Sequence, residues 1–455
     1  MLALFRKIKK TKELSSIHVI VLFYLSAAIL STILLSFDFF HEKGVELTWL
    51  DTIFTAVSAI SVTGLTVVNT ADTFNVPGQI ALVFVLQFGG IGIMTLGTFV
   101  YAVLGKKIGL RTRQLIRIDQ NRNTFAGMVQ LMFQILKTIL FIELIGMVIL
   151  SIHFLNYFDS WQEALMQGFF ASVSATTNAG FDITGSSLVP FANDYFVQFI
   201  NMLLLTLGAI GFPVLLEVQD LLWGRYKNAH WQFQFSLFAK LTTFTFFSLF
   251  IFGTIGIILF EWQGFFADKS WHETLFYSMF QSLTTRNGGL ATMDVADFSM
   301  PTLLLLCGLM FIGASPSSVG GGIRTTTFAI ILLTIYHYAK GHNTIKVFRR
   351  EIDSEDVIRS FIVASTAIFL CSTAIILLIW MEPLDNMALA FEVFSAFGTT
   401  GLSMGITADL SPFGKGIIIL LMFIGRIGIF SFIFLIRGKD AHDRYHYPKE
   451  KMIIG

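Results

Sequence analysis

Long apolar runs and shorter half-apolar ones alternate along this chain, always in the same order. The long runs are "SIHVIVLFYLSAAILSTILLSF" (16–37), "LFIELIGMVILSIHFL" (140–155), "LTTFTFFSLFIFGTIGIILF" (241–260) and "SFIVASTAIFLCSTAIILLIW" (360–380). Most approach or exceed the ~20 residues that cross a bilayer as a helix. Each is followed by a shorter stretch: "WLDTIFTAVSAI" (49–60), "WQEALMQGFFASVSAT" (161–176), "WHETLFYSMFQSLTT" (271–285) or "LDNMALAFEVFSAFG" (384–398). These are too short to cross and predict re-entrant half-helices. Each begins near an acid and a Trp or Leu, as suits a helix N-terminus at the membrane interface. Each runs into a Gly turn, "SVTGL", "TNAGF", "RNGGL" or "TTGLS", and then into another apolar stretch marked by "FGGIGIMT", "LGAIGFP", "FIGASPSS" or "FIGRIGIF".

The unit is therefore span, re-entrant helix, Gly turn, span, repeated four times. The aligned glycines are Gly64, Gly180, Gly289 and Gly401; Ser58, Ser174 and Ser395 each stand six residues before theirs. The third repeat is off by one, with Ser282 seven before Gly289, and Gly289 is preferred to Gly288 because "NGGL" parallels "NAGF". The predicted fold is an all-α polytopic membrane protein with eight transmembrane helices and pseudo-four-fold symmetry around a central pore. Repeats are expected over 1–105, 106–222, 223–337 (with an intramembrane gate loop at 313–323) and 338–436, with a cytoplasmic tail at 437–455.

Composition agrees: 54% of residues are hydrophobic and 13% charged, against ~25% charged in soluble domains. Charge distribution says more than the net value of +1. Basic clusters at 6–12, 106–122, 225–227, 340–350 and 437–451 alternate with acid-rich segments holding 18 Asp and Glu against four basic residues. By the positive-inside rule the basic segments and both termini face the cytoplasm. The acids could concentrate cations at the outer mouth or simply follow from that sorting. Cys307 and Cys371 lie in apolar runs and read as small core residues. The nine His show no metal spacing, and no hydrolase or nucleotide-binding signature survives the topology, which leaves little for an intramembrane enzyme.

Irregular backbone at membrane depth survives only where it lines a cavity or is buried in protein. Four re-entrant turns around one axis make a pore, in which backbone carbonyls replace a cation's hydration shell, as in the "TVGYG" loops of K⁺ channels. The candidate filter residues are Val62, Thr63 and Gly64; Asn178, Ala179 and Gly180; Asn287, Gly288 and Gly289; and Thr399, Thr400 and Gly401. None is a carboxylate, so a monovalent cation is expected, K⁺ before Na⁺.

Two inner spans depart from the pattern. The third contains "GASPSSVGGGIR" (313–324), which a continuous helix would not choose. Gly313, Ala314, Ser315, Pro316, Ser317, Ser318, Val319, Gly320, Gly321 and Gly322 form a candidate gate below the third turn. The fourth carries Arg426, which would either face the cavity and slow cations, pair with an acid such as Glu143 or Glu217, or snorkel. Arg286 is expected at the outer mouth.

The four units with their glycines, the break at "GASPSSVGGGIRTTT" and Arg426 in "FIGRIGIF" resemble the Trk/Ktr/HKT superfamily of potassium transporters along essentially the whole chain. Within it, the absence of extra N-terminal spans and the closing "RYHYPKEKMIIG" are most similar to KtrB, the membrane subunit of bacterial Ktr potassium uptake systems. The resemblance implies K⁺ uptake across the bacterial cytoplasmic membrane by a homodimer with one pore per subunit. It also implies docking on a cytosolic octameric KtrA-type ring that binds ATP, ADP or NAD, a gate loop controlled by that ring, Arg426 under the filter, and stimulation by Na⁺. Nucleotide would sit on the partner alone, and nucleic acid has no part. The basic loop at 106–122 suits docking or lipid headgroups. A self-sufficient K⁺ or non-selective monovalent cation channel is the competing reading.

Overall fold

The computed structural model describes residues 16–92, 128–227 and 233–436, with 448, 450 and 452. The basic N-terminal cluster, the basic loop at 106–122 and nearly all of the tail expected at 437–455 lie outside the described residues.

Four long helices form the outer spans: α1 (Ser16–Leu35), α4 (Met128–Phe154), α8 (Leu237–Glu261) and α12 (Ser354–Met381). Each is long and apolar enough to cross a membrane on its own. Four shorter helices follow them: α2 (Trp49–Ser61), α5 (Trp161–Thr176), α9 (Trp271–Thr284) and α13 (Asn386–Gly398). Their starts are written locally. Thr48, Ser160 and Ser270 accept the N–H of Asp51, Glu163 and Glu273, three residues on, and Asp385 accepts that of Ala388. At Ser270 the Glu273 carboxylate also accepts the cap N–H, completing a capping box.

The inner spans are α3 (Val76–Ile91), α6 with α7 (Tyr195–Ala209, Phe212–Lys227), α10 with α11 (Met300–Ile312, Thr325–Ala339) and α14 with α15 (Pro412–Ile427, Ile429–Ile436). Their outer ends are latched to the outer spans. The Glu261 carboxylate at the end of α8 accepts from Ser299 N–H (2.8 Å) and Oγ (2.6 Å), and Glu382, just past α12, accepts from Ser411 N–H (3.2 Å). Asp194 caps α6 and accepts from Tyr157 (2.6 Å) and His153 (2.5 Å). Burial would raise the Asp194 carboxyl, but these hydrogen bonds hold it below its usual range. Several of the acids on this face therefore tie helices together instead of facing open water.

Packing closes a ring. Each outer span lies on its own pore helix, and each inner span also lies on the next repeat's pore helix: α3 on α5, α6 on α9, α10 on α13 and α14 on α2. The core is threaded through this ring, with Phe54, Phe170, Phe280 and Phe391 fully buried on the pore helices. Exposed apolar side chains on the outer spans, such as Leu30, Phe141, Phe252 and Phe369, are the surface a bilayer would cover.

All four inner spans, and not the third alone, lose helical backbone at an Ile-Gly step. These are Ile91–Gly92, Ile210–Gly211, Ile312–Gly313 and Ile427–Gly428, and each of these glycines has positive φ, at 91°, 100°, 71° and 88°. The bend is 105° between α6 and α7 and 102° between α14 and α15. In the third span the loss of helix widens into the loop at 313–324, where the sequence led one to expect a non-helical run.

Candidate ion-conduction site

The four turns meet at the centre of the ring. Val62, Asn178, Asn287 and Thr399, each two residues before the aligned Gly, are left-handed, with φ of 57°, 52°, 74° and 51°. Gly64, Gly180, Gly289 and Gly401 also have positive φ, at 91°, 69°, 68° and 93°, while Gly288 does not. The register that makes Gly289 the third partner is thus the one in which all four turns share a backbone shape.

The glycines pack against one another around the ring. A Cβ added to Gly64 would meet Ala179 O at 2.6 Å and Gly180 Cα at 2.9 Å, and one on Gly180 would meet Gly289 Cα at 2.9 Å. One on Gly289 would meet Thr400 O at 2.5 Å, and one on Gly401 would meet Thr63 O at 2.2 Å and Gly64 Cα at 3.0 Å. No other residue fits: the backbone is left-handed and the space is taken by a neighbour's carbonyl. The carbonyls of Thr63, Ala179, Gly288 and Thr400, one from each repeat, lie beside the glycine of the preceding turn in the ring and accept no hydrogen bond among the described residues. Buried, unpaired carbonyls are rare in proteins. Four such carbonyls, one from each repeat, gather where the four turns meet and make the candidate ring for coordinating a cation.

The pore helices brace the turns. Thr63, Ala179 and Thr400 N–H donate to Ser58, Ser174 and Ser395 O at 2.8–2.9 Å. The serine hydroxyls add a second tie: Ser58 and Ser395 Oγ accept from Gly64 and Gly401 N–H (3.2 and 3.1 Å), and Ser174 Oγ donates to Phe181 O (2.5 Å). In the third repeat this place is taken by Thr284, whose Oγ1 donates to Leu290 O (2.6 Å) and whose carbonyl accepts from Gly288 N–H (2.6 Å). Ser282 instead donates to Phe250 O on the outer span (2.7 Å), as Ser172 does to Glu143 O (2.8 Å). The Ser282 alignment is corrected accordingly: the third turn is one residue shorter, "TTRNGG" against "SATTNAG".

Arg286 occupies that shortened turn and is not at the outer mouth. It is 1% exposed, and its Nη2 donates to Leu309 O (2.6 Å) and its Nη1 to Gly313 O (3.4 Å), at the end of α10. Beside it, the Asn287 amide donates to Gly398 O, Thr399 O (3.0 Å) and Thr399 Oγ1 (2.8 Å), joining the third turn to the fourth.

The loop at 313–323 lies directly beneath this layer. The Cα of Gly320 sits against the Asn287 amide, and that of Gly321 against the Thr399 side chain. Ser315 and Val319 N–H donate to Ala209 and Gly208 O (3.1 and 3.4 Å), and Phe212 N–H donates to Ser317 O (2.9 Å), so the loop fills the break between α6 and α7. Pro316 O lies against Gly211, Ala314 N–H donates to Gly321 O (3.3 Å), and Gly322 packs on Gly313. Ser318 Oγ donates to Ser315 O (2.6 Å). Arg324 donates to Gly320 O from the loop's base.

Arg426 sits under the loop, 8% exposed, and donates to Val319 O, to Gly89 O and to Gly90 O (3.4 Å). Its partners are backbone carbonyls, not acids: Glu143 accepts from Gln87 (2.5 Å) and Glu217 from Ser236 (2.6 Å). The reason is that α3 ends at Ile91, which leaves the carbonyls of its last turn without intrahelical donors. A small cavity of ≈ 80 Å³ on the far side of the loop is lined by Gly90, Phe212, Ser318, Arg324 and Arg426, among others.

Sequence reasoning missed the grip of Arg286, the role of Arg324 and the shared Ile-Gly breaks. The dipeptide was present in all four landmark motifs and was the signal available.

The family model for "TrkH: Cation transport protein" matches residues 6–445. The chain is 56% identical over 447 residues to "Ktr system potassium uptake protein D" of Bacillus subtilis (98% of this chain, 99% of the relative). It is 33% identical over 451 residues to "Potassium/sodium uptake protein NtpJ" of Enterococcus hirae (98% of each). The solved potassium transporter TrkH from Vibrio parahaemolyticus shares the fold, with a TM-score of 0.70 at 19% identity over 94% of this chain and 86% of that one. With a four-repeat helical ring, glycine-lined turns and a match over nearly its whole length, this chain belongs to the TrkH family of cation transport proteins and is a membrane transporter, not an enzyme.

Proposed function

We propose that the chain is the ion-translocating subunit of a Ktr-type potassium uptake system in a bacterial cytoplasmic membrane, with both termini on the cytoplasmic side. The observation that carries this reading is the ring of unpaired carbonyls of Thr63, Ala179, Gly288 and Thr400 around four touching glycines. A dehydrated K⁺ gains from such a ring what it loses in water, and no carboxylate is present to favour a divalent ion. The names of the relatives support K⁺ as the cargo, and the E. hirae relative's name supports a part for Na⁺.

The loop at 313–323 is the gate. It lies across the path under the filter, held by Arg426 and Arg324, and flux requires it to leave. The name "Ktr system" of the B. subtilis relative supports a regulatory partner; a cytosolic nucleotide-binding ring that pulls the loop aside, and a homodimer beneath which it docks, complete the proposal. The repeat boundaries remain those given above, each repeat taking one outer span, one pore helix and the start of one inner span. Deleting residues 315–321 tests the gate. Rb⁺ flux into liposomes is expected to rise without the ring subunit; flux that still depends fully on the ring would exclude this loop as the gate.

A further inference from the structure

Among the described residues Arg286 is one of the largest fully buried side chains, and no described acid pairs with it. It belongs to the third filter turn, adjacent to Asn287, and two residues separate it from Gly289. Its guanidinium reaches away from the pore to the carbonyls of Leu309 and Gly313, and Gly313 is the hinge from which the gate loop departs. Asn287 closes the circuit, since its amide touches Gly320 in the middle of the same loop. The turn and the loop thus share two contacts, one at the loop's first residue through a planar fork with fixed donor directions and one at its middle.

We propose that Arg286 is a positioning residue that couples the third filter turn to the hinge of the gate loop, so that ion occupancy of the filter and the position of the loop report on each other. The inference rests on the reading of 313–323 as a gate over a cation filter. A shift of the Gly313 carbonyl moves an acceptor of the guanidinium, whose backbone is the turn that presents the Gly288 carbonyl. Coupling of this kind is reciprocal: if the loop alters the filter, filled and empty filters must hold the loop differently.

The test uses the full-length chain in liposomes, with Ser318→Cys as a reporter on the loop. Its rate of modification by a membrane-impermeant thiol reagent is measured in K⁺ and in choline, alone and combined with Arg286→Lys or Arg286→Gln. Rates are expected to differ several-fold between K⁺ and choline with Arg286 present. That difference should shrink with Arg286→Lys, which keeps the charge but not the fork, and vanish with Arg286→Gln, while Rb⁺ flux without the ring rises. Equal rates in K⁺ and choline with Arg286 present would overturn the coupling, even if the glutamine variant does not fold. So would a K⁺ dependence that survives Arg286→Lys undiminished. Absence of any Rb⁺ flux with or without the ring would instead overturn the transport reading itself, and the two failures are distinguishable.

Discussion

The third and fourth repeats each carry one buried arginine, and the two are placed in opposite ways. In the third, Arg286 lies in the filter turn and grips the end of its own inner span at Leu309 and Gly313. In the fourth, Arg426 lies in the inner span and grips the gate loop at Val319 and the end of α3 at Gly89 and Gly90. Both answer one physical demand. A helix that stops inside a membrane leaves carbonyls unpaired, each costing several kcal/mol, and a guanidinium brings five donors to the spot. The α6 break meets the same demand differently, with the loop's own N–H groups. The loop at 313–323 is therefore held by Arg286 at its first residue, by Arg426 and Arg324 at Val319 and Gly320, and by the end of α6 at Ser315 and Val319, so its seat is made largely of hydrogen bonds.

The largest expected effect tests the symmetry beneath this contrast. Gly401→Ala and Gly289→Ala place a Cβ on left-handed backbone against a neighbour's carbonyl, at 2.2 and 2.5 Å. Strain of roughly 1–3 kcal/mol plus the clash should abolish Rb⁺ over Na⁺ preference in flux assays. Gly288→Ala, whose φ is not positive and whose added Cβ would press first on Thr284 of its own repeat (2.6–3.1 Å) and not on a neighbouring turn, should do less. Equal effects of the two third-turn substitutions would break the register argument.

Next comes the loop's lower tie. Arg426→Gln removes donors to Val319, Gly89 and Gly90 and should raise ring-independent Rb⁺ flux, with the chain still inserted and extractable as a folded protein. Loss of folded protein with no gain in flux would make the residue purely a cap for α3. Asn287→Ala should weaken selectivity less than the glycine substitutions, because it removes the strut to Gly398 and Thr399 and leaves the ring carbonyls in place. The smallest effect should come from Ser58→Ala or Ser395→Ala. Each loses one side-chain tie to a glycine N–H, about 1 kcal/mol, read as a few degrees in the melting temperature.

Most of the architecture was legible because it is written in period and length. Apolar runs of spanning length, short capped helices and a recurring Gly suffice to place every pore helix. The alignment of the turns was also legible, since "NAGF" and "NGGL" align Asn178 with Asn287, and both prove left-handed. Three features were not. A one-residue deletion in the third turn cannot be told from a one-residue shift without knowing that Thr284, not Ser282, touches the turn. An Ile-Gly dipeptide is ordinary in apolar sequence, so only the backbone shows that Gly92, Gly211 and Gly428 break their spans as Gly313 does. Arg286 stood next to a filter residue, and a charge there reads naturally as facing water; the carbonyls that hold it come from a helix end whose location the sequence does not give.

The central claim is a K⁺-selective carbonyl filter above a gate that a partner opens. The most direct measurement is Rb⁺ against Na⁺ flux in liposomes carrying the purified chain, with and without a cytosolic ring subunit and ATP. The account predicts Rb⁺-selective flux that the ring and nucleotide increase. Equal flux of both ions, indifferent to the ring, would contradict it and leave a four-repeat pore without selectivity or a gate.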